Sequence, residues 1–172
     1  MSFVFSDENL KKAKEHIAKY PKNKQASAVL PLLDLAQRQC GGWLPQSALE
    51  GVAKFLDMPF IRVLEIASFY SMFNLKPVGA LHVQICGTTP CWLRGAEELK
   101  KACTEHLKIE IGETTNDQMF TLSEVECLGA CINAPMVQIN DDYHENLSPE
   151  GLIEILEVMK KGKTKEKTDV SS

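Results

Sequence analysis

Two stretches decide the fold: residues 80–91, ALHVQICGTTPC, and residues 120–131, FTLSEVECLGAC. In the first, Leu81, Val83 and Ile85 fall on one face, the period of two that marks a β-strand. The second alternates in the same way from Phe120 to Glu126 and runs directly into Cys127. Each strand therefore ends in a cysteine pair, Cys86-x4-Cys91 and Cys127-x3-Cys131. Between the cysteines lie Gly87, Thr88, Thr89 and Pro90 in one segment and Leu128, Gly129 and Ala130 in the other. These residues are small or turn-prone, and they leave backbone N–H groups free to face sulfur.

Four thiolates from two short segments favour the cage of a [2Fe–2S] cluster, and a C-x4-C step also opens the ligand set of plant-type ferredoxins. Zinc stays open as a second reading, although its knuckles usually have shorter, more regular gaps. A disulfide framework is disfavoured, because 172 residues with 44% apolar content can bury a core without staples. A thioredoxin-type dithiol needs C-x-x-C, which does not occur. Four unrelated buried cysteines would leave the flanking Gly and Pro unexplained.

The rest of the chain predicts helices before the first strand and a mixed order after it. Ser6 caps a helix over about 7–18 that ends at Tyr20-Pro21. A second helical segment covers 25–40, and Pro31 requires either a late start or a kink there. Pro45 and Pro59 open two more helices. After the first strand come a helix at about 95–107, the strand at 120–126 and a hairpin pairing 136–140 with 143–147 around Asp141-Asp142. Ser148 caps a last helix that begins at Pro149. This is an α+β or α/β arrangement. It suggests an N-terminal helical bundle over residues 1–75, a thioredoxin-like domain over 76–160 and a charged, disordered tail over 161–172.

Composition limits the partners. With 23 acidic against 19 basic residues the formal charge is −4, which argues against nucleic acid. No apolar run reaches the length of a membrane span, so insertion into a membrane is not expected. The first residues lack the apolar core of a secretory signal, and Asp7 and Glu8 suit a mitochondrial presequence poorly. A reducing compartment fits thiolate ligands.

The segments Gly41-Gly42-Trp43-Leu44-Pro45, Ala67–Phe73, Cys86–Cys91, Glu126–Cys131, Asn133-Ala134-Pro135 and Ile139–Tyr143 together resemble a known family. It comprises the E-type subunits of respiratory NADH:quinone oxidoreductase (complex I), which are thioredoxin-like [2Fe–2S] ferredoxins. The resemblance covers roughly residues 6–160. It implies a thioredoxin-like ferredoxin domain behind a helical bundle, and one [2Fe–2S] cluster ligated by Cys86, Cys91, Cys127 and Cys131. It further implies docking on a larger subunit that carries FMN and oxidises NADH, beside other subunits of the peripheral arm. The place implied is the cytoplasmic side of a bacterial inner membrane, or the matrix side in an organelle. Related small subunits serve NAD-linked hydrogenases and formate dehydrogenases, which leaves those complexes as an alternative. Ser68, where threonine is commoner, and His144 depart mildly from the family pattern.

No catalytic residue is expected in this chain, since it has no G-x-G-x-x-G fingerprint for NADH and no nucleophile paired with a base. Any oxidoreductase activity belongs to the complex. Arg94 is the only cation expected near the first cysteine segment, and none is expected at the second, which predicts a potential below that of His-ligated Rieske centres. Cys103 is expected in the core, Cys40 at a helix end, His82 in a structural role, and His16 and His106 at helix surfaces. Asp141 and Asp142 point apart at a turn. Trp43 packs, and Trp92 either packs or shields the cysteine site.

Overall fold

The computed structural model describes residues 3–169, with side chains as far as residue 163. The chain divides into two compact units, Met1–Val78 and Gly79–Ser172. The boundary lies three residues beyond the position read from the sequence.

In the first unit, α1 (Asp7–Ala18) begins where the Ser6 Oγ accepts the Asn9 N–H at 3.3 Å. Asp7 and Glu8 in its first turn also suit the positive end of the helix dipole. A 3-10 turn over Gln25–Ala28 precedes α2 (Val29–Gln39), so the helix starts late and Pro31 falls in its first turn. A missing N–H costs nothing there, because the first-turn donors have no partner within the helix. Helices α3 (Gln46–Leu56) and α4 (Phe60–Phe69) follow prolines 45 and 59. Leu32, Leu33, Leu44 and Leu56 are each at most 1% exposed and form the centre of this bundle. Burial of each contributes about 1.5–3 kcal/mol relative to leaving it in water. Gln37 ties down the segment after α4: its Nε2 donates to the Met72 carbonyl at 3.0 Å and its Oε1 accepts the Asn74 N–H at 2.7 Å.

The second unit contains β1 (Leu81–Cys86), α5 (Thr89–Leu93), α6 (Ala96–Leu107), β2 (Phe120–Val125), β3 (Val137–Ile139), β4 (Asp142–His144) and α7 (Pro149–Asp169). Its sheet has the order β2-β1-β3-β4. β1 runs parallel to β2, with Leu81 opposite Phe120 and Cys86 opposite Val125, and antiparallel to β3. β3 and β4 form an antiparallel hairpin. Leu81, Val83 and Ile85 of β1 are buried in one core with Leu99 and Cys103 of α6 and Leu152 and Leu156 of α7. A strand followed by a crossover helix and a parallel neighbour places the ends of β1 and β2 side by side.

Two expectations need correction. The residues between Cys86 and Cys91 are not all loop, since Thr89–Leu93 forms a helical turn with Pro90 at its start. The hairpin turns one residue earlier than Asp141-Asp142. Asn140 takes a left-handed φ of 54° and Asp142 already pairs with Ile139, because asparagine tolerates that conformation better than most residues. Helix α7 runs to Asp169, into the charged segment that follows residue 160. Its Lys, Glu and Thr residues contain no proline to stop a helix already nucleated at Ser148. Residues 170–172 lie outside the described residues.

Candidate metal centre

The four cysteines meet because β1 and β2 are parallel and in register. Cys86 is the last residue of β1, opposite Val125, and Cys127 follows Val125 by two residues. The Gly87 N–H donates to the Val125 carbonyl at 3.0 Å, which extends the pairing into the first cysteine segment. Helix α5 then turns the chain so that Cys91 lies against Cys86, within hydrogen-bond reach. The second pair is closed by a 3-10 turn at Cys131–Asn133, with the Cys127 and Cys131 sulfurs 3.4 Å apart. Thr88 joins the two pairs: its Oγ1 is 3.4 Å from the Cys86 sulfur and also bonds Cys127.

The pairs sit in different surroundings. Cys86 and Cys91 are 1% exposed, in a small apolar cluster with Ala96, Ala134 and Met136. Cys127 and Cys131 are exposed. Burial, and then the hydrogen bond shared with Cys86, pushes the Cys91 thiol up to about 11. Burial also opposes the Cys86 thiolate, but the Thr88 hydroxyl and N–H and the Leu128 N–H outweigh it and lower that thiol. The Gly129 N–H, followed by the shared hydrogen bond with Cys131, lowers Cys127, while Cys131 is raised by that same sharing. In each pair the surroundings thus favour the thiolate at one sulfur and oppose it at the other.

The donor set matches what an anionic sulfur-ligated group needs: backbone N–H groups of Thr88, Leu128, Gly129 and Met136, plus the Thr88 hydroxyl. Among the described residues no three His, Cys, Asp or Glu side chains are placed to hold a single ion. Two pairs of thiols, one pair per iron, are what a binuclear cluster asks of its protein, whereas zinc asks for four ligands around one ion.

A model of the thioredoxin-like [2Fe–2S] ferredoxins matches residues 13–160. The chain belongs to that family.

Among relatives of this ferredoxin-family member, the E-type subunit of the NADH-quinone oxidoreductase of Rickettsia conorii is 58% identical over 156 residues, covering 91% of this chain and 93% of that one. The mitochondrial NADH dehydrogenase (ubiquinone) flavoprotein 2 of Dictyostelium discoideum is 52% identical over 161 residues, covering 94% of this chain and 65% of that longer one. These relatives are subunits of an oxidoreductase complex. An NAD+-reducing [NiFe]-hydrogenase structure shares the fold, with a TM-score of 0.63 at 22% identity over 74% of this chain and 23% of that one.

The other candidate residues of this ferredoxin-family chain make contacts of their own. Cys103 is fully buried on α6, where burial pushes its thiol up to about 12. Burial also raises Cys40 at the end of α2. His82 is buried, with Nε2 2.8 Å from the Ser123 Oγ, and burial lowers its pKa. His106 pairs with Glu157 at 3.0 Å. Trp92 is more than half exposed.

Sequence reasoning missed three participants. Lys100 is a further cation near the first segment. It is 3.1 Å from Glu124 and 2.5 Å from Glu97, so two carboxylates already hold its charge. The Met136 N–H faces Cys91 from β3's leading edge, and the Tyr143 hydroxyl donates to the Leu128 carbonyl at 2.8 Å. The Ile139–Tyr143 segment is the available signal for Tyr143, but it gives no hint of the fold-back onto the second cysteine pair.

Proposed function

We propose that Cys86, Cys91, Cys127 and Cys131 hold one [2Fe–2S] cluster and that this chain is the E-type electron-transfer subunit of an NADH:quinone oxidoreductase. The convergence of two cysteine pairs at the ends of parallel strands β1 and β2, amid inward-facing N–H groups, carries this reading. When bound, such a cluster supplies a one-electron carrier. The chain's own part is to provide four thiolates, to spread their negative charge over backbone N–H groups, and to wall off Cys86 and Cys91 in apolar packing.

The partner in this reading is the subunit that holds FMN and oxidises NADH, with which the cluster exchanges electrons. The exposed pair would face it, since Ile132, next to Cys131, is 94% exposed, and Trp92 and Leu93 stand exposed beside Cys91. Exposed apolar side chains grouped around a redox site favour docking over a free surface. Ile61, Phe69 and Met72 give the helical unit a second exposed apolar group, which supports its role in holding the same partner. No described helix is long and apolar enough to cross a membrane, so this chain would reach the membrane arm through partners.

The small subunit of an NAD-linked hydrogenase is the second reading. The hydrogenase likeness is one of fold, while identities above 50% lie with complex I relatives, and this favours the first. Affinity purification of the tagged chain from its own cells tests the choice. Recovery of a membrane-associated complex that reduces quinone with NADH supports the proposal. Recovery of a soluble hydrogen-oxidising complex contradicts it.

A further inference from the structure

The Ile139–Tyr143 segment leaves one side chain that the proposed function does not use. Tyr143, on edge strand β4, sends its hydroxyl to the Leu128 carbonyl at 2.8 Å, inside the Cys127–Cys131 segment. That carbonyl belongs to the same peptide unit as the Gly129 N–H, which donates to the Cys127 sulfur. Gly129 has φ +86°, a left-handed conformation that lets this peptide turn its N–H toward sulfur and its oxygen outward. One planar amide thus receives a proton donor at its oxygen and delivers one from its nitrogen.

We propose that Tyr143 is a positioning residue that tunes the cluster's potential through this single peptide: Tyr143 O–H to Leu128 C=O, and Gly129 N–H to the Cys127 sulfur. The inference rests on the cluster assignment above. A hydrogen bond accepted by an amide oxygen draws charge toward that oxygen and makes the N–H on the same amide a stronger donor. Reduction adds one negative charge, part of which falls on the ligating sulfurs, so a stronger donor at Cys127 favours the reduced state. Tyr143 touches no sulfur. It also fixes the orientation of the 128–129 peptide, which no side chain of glycine can do.

The test is a redox titration, followed by EPR and visible absorption, on the loaded full-length chain. Tyr143→Phe removes the donor and keeps the ring. It is expected to make reduction about fivefold less favourable, a fall of about 40 mV at 59 mV per decade for one electron, with the visible spectrum retained. Incorporating 3-fluorotyrosine in a Tyr20→Phe/Tyr70→Phe background leaves Tyr143 as the one tyrosine. At a pH where the phenol keeps its proton, this strengthens the donor and is expected to shift the potential upward. The second measurement also decides the matter if the phenylalanine variant does not load. Opposite shifts in the two proteins support the relay. An unchanged potential in the fluorinated protein, or shifts of the same sign, overturns it. Failure of the unsubstituted chain to take up iron and sulfide would instead overturn the underlying cluster assignment.

Discussion

The Glu124 carboxylate occupies the space that a Cβ on Gly87 would need. Gly87 follows the first ligand candidate directly, and the carboxylate lies there because Lys100, 3.1 Å away and largely buried, holds it. The glycine therefore makes room for an ion pair at the edge of the cysteine site. Alanine at 87 must displace the carboxylate, the free end of a flexible side chain, and so disturbs its pairing with Lys100. We expect Gly87→Ala to destabilise the chain by about 1 kcal/mol, in the upper range for a partly exposed pair. Glu124→Ala should remove most of that additional cost, and urea unfolding of the two single variants and the double variant checks the coupling.

Gly129 makes a different case, because a Cβ there meets nothing within 4 Å. Only the backbone conformation at φ +86° resists a side chain. Gly129→Ala should cost about 1–2 kcal/mol, and the strain falls on the peptide that donates to Cys127. Cluster loading is expected to drop while the helical content stays unchanged by circular dichroism. Asparagine at the same position should load better than alanine, since it tolerates the left-handed region.

His82 gives the chain an acid sensitivity. Its folded pKa lies below the ordinary value near 6.5 because burial disfavours the imidazolium. The unfolded chain therefore binds a proton that the folded chain refuses once the pH drops below about 6.5, and stability falls with pH from there down to the lowered folded value. His82→Gln, which keeps a group able to bond Ser123, should flatten this slope. Thermal melts at pH 7 and pH 5.5 are expected to differ less for the variant than for the parent.

The exposed apolar side chains of the helical unit carry the docking proposal. Phe69 is 79% and Met72 is 53% exposed, and the Phe69 ring meets that of Tyr70, itself 41% exposed, so aspartate at both positions disturbs little of the core. Surface changes of this kind usually alter stability by less than about 0.5 kcal/mol. The double variant should keep its melting temperature yet be recovered with the flavin-bearing partner at least tenfold less efficiently. Full recovery of the partner would place the docking surface elsewhere.

Much of the fold can be read from local chemistry. Helix α1 follows from Ser6 and the Tyr20-Pro21 stop, α3 and α4 from prolines 45 and 59, and β1 from the alternation at Leu81, Val83 and Ile85. These signals act within a few residues. Helix α5 stays hidden because its five residues are too few to show a period, and because Gly87 and Pro90 read as loop. The extension of α7 stays hidden because a run of charged residues has the composition of both a solvated helix and a disordered tail. The cysteine pairs are visible as spacings, but their meeting depends on the register of β1 against β2. Tyr143 reaching Leu128 depends on the β3–β4 hairpin. Contacts of that kind join residues far apart in sequence, and no local pattern encodes them.

The proposed electron-transfer role depends on sulfur from four positions gripping two irons. Iron and acid-labile sulfide should be counted on the anaerobically loaded chain and on each of Cys86→Ser, Cys91→Ser, Cys127→Ser and Cys131→Ser, with the EPR spectrum of the reduced protein. The expected result is about two irons and two sulfides per chain, with each serine variant losing the metal or changing its spectrum. One zinc per chain and no EPR signal, or a serine variant indistinguishable from the parent, would contradict it.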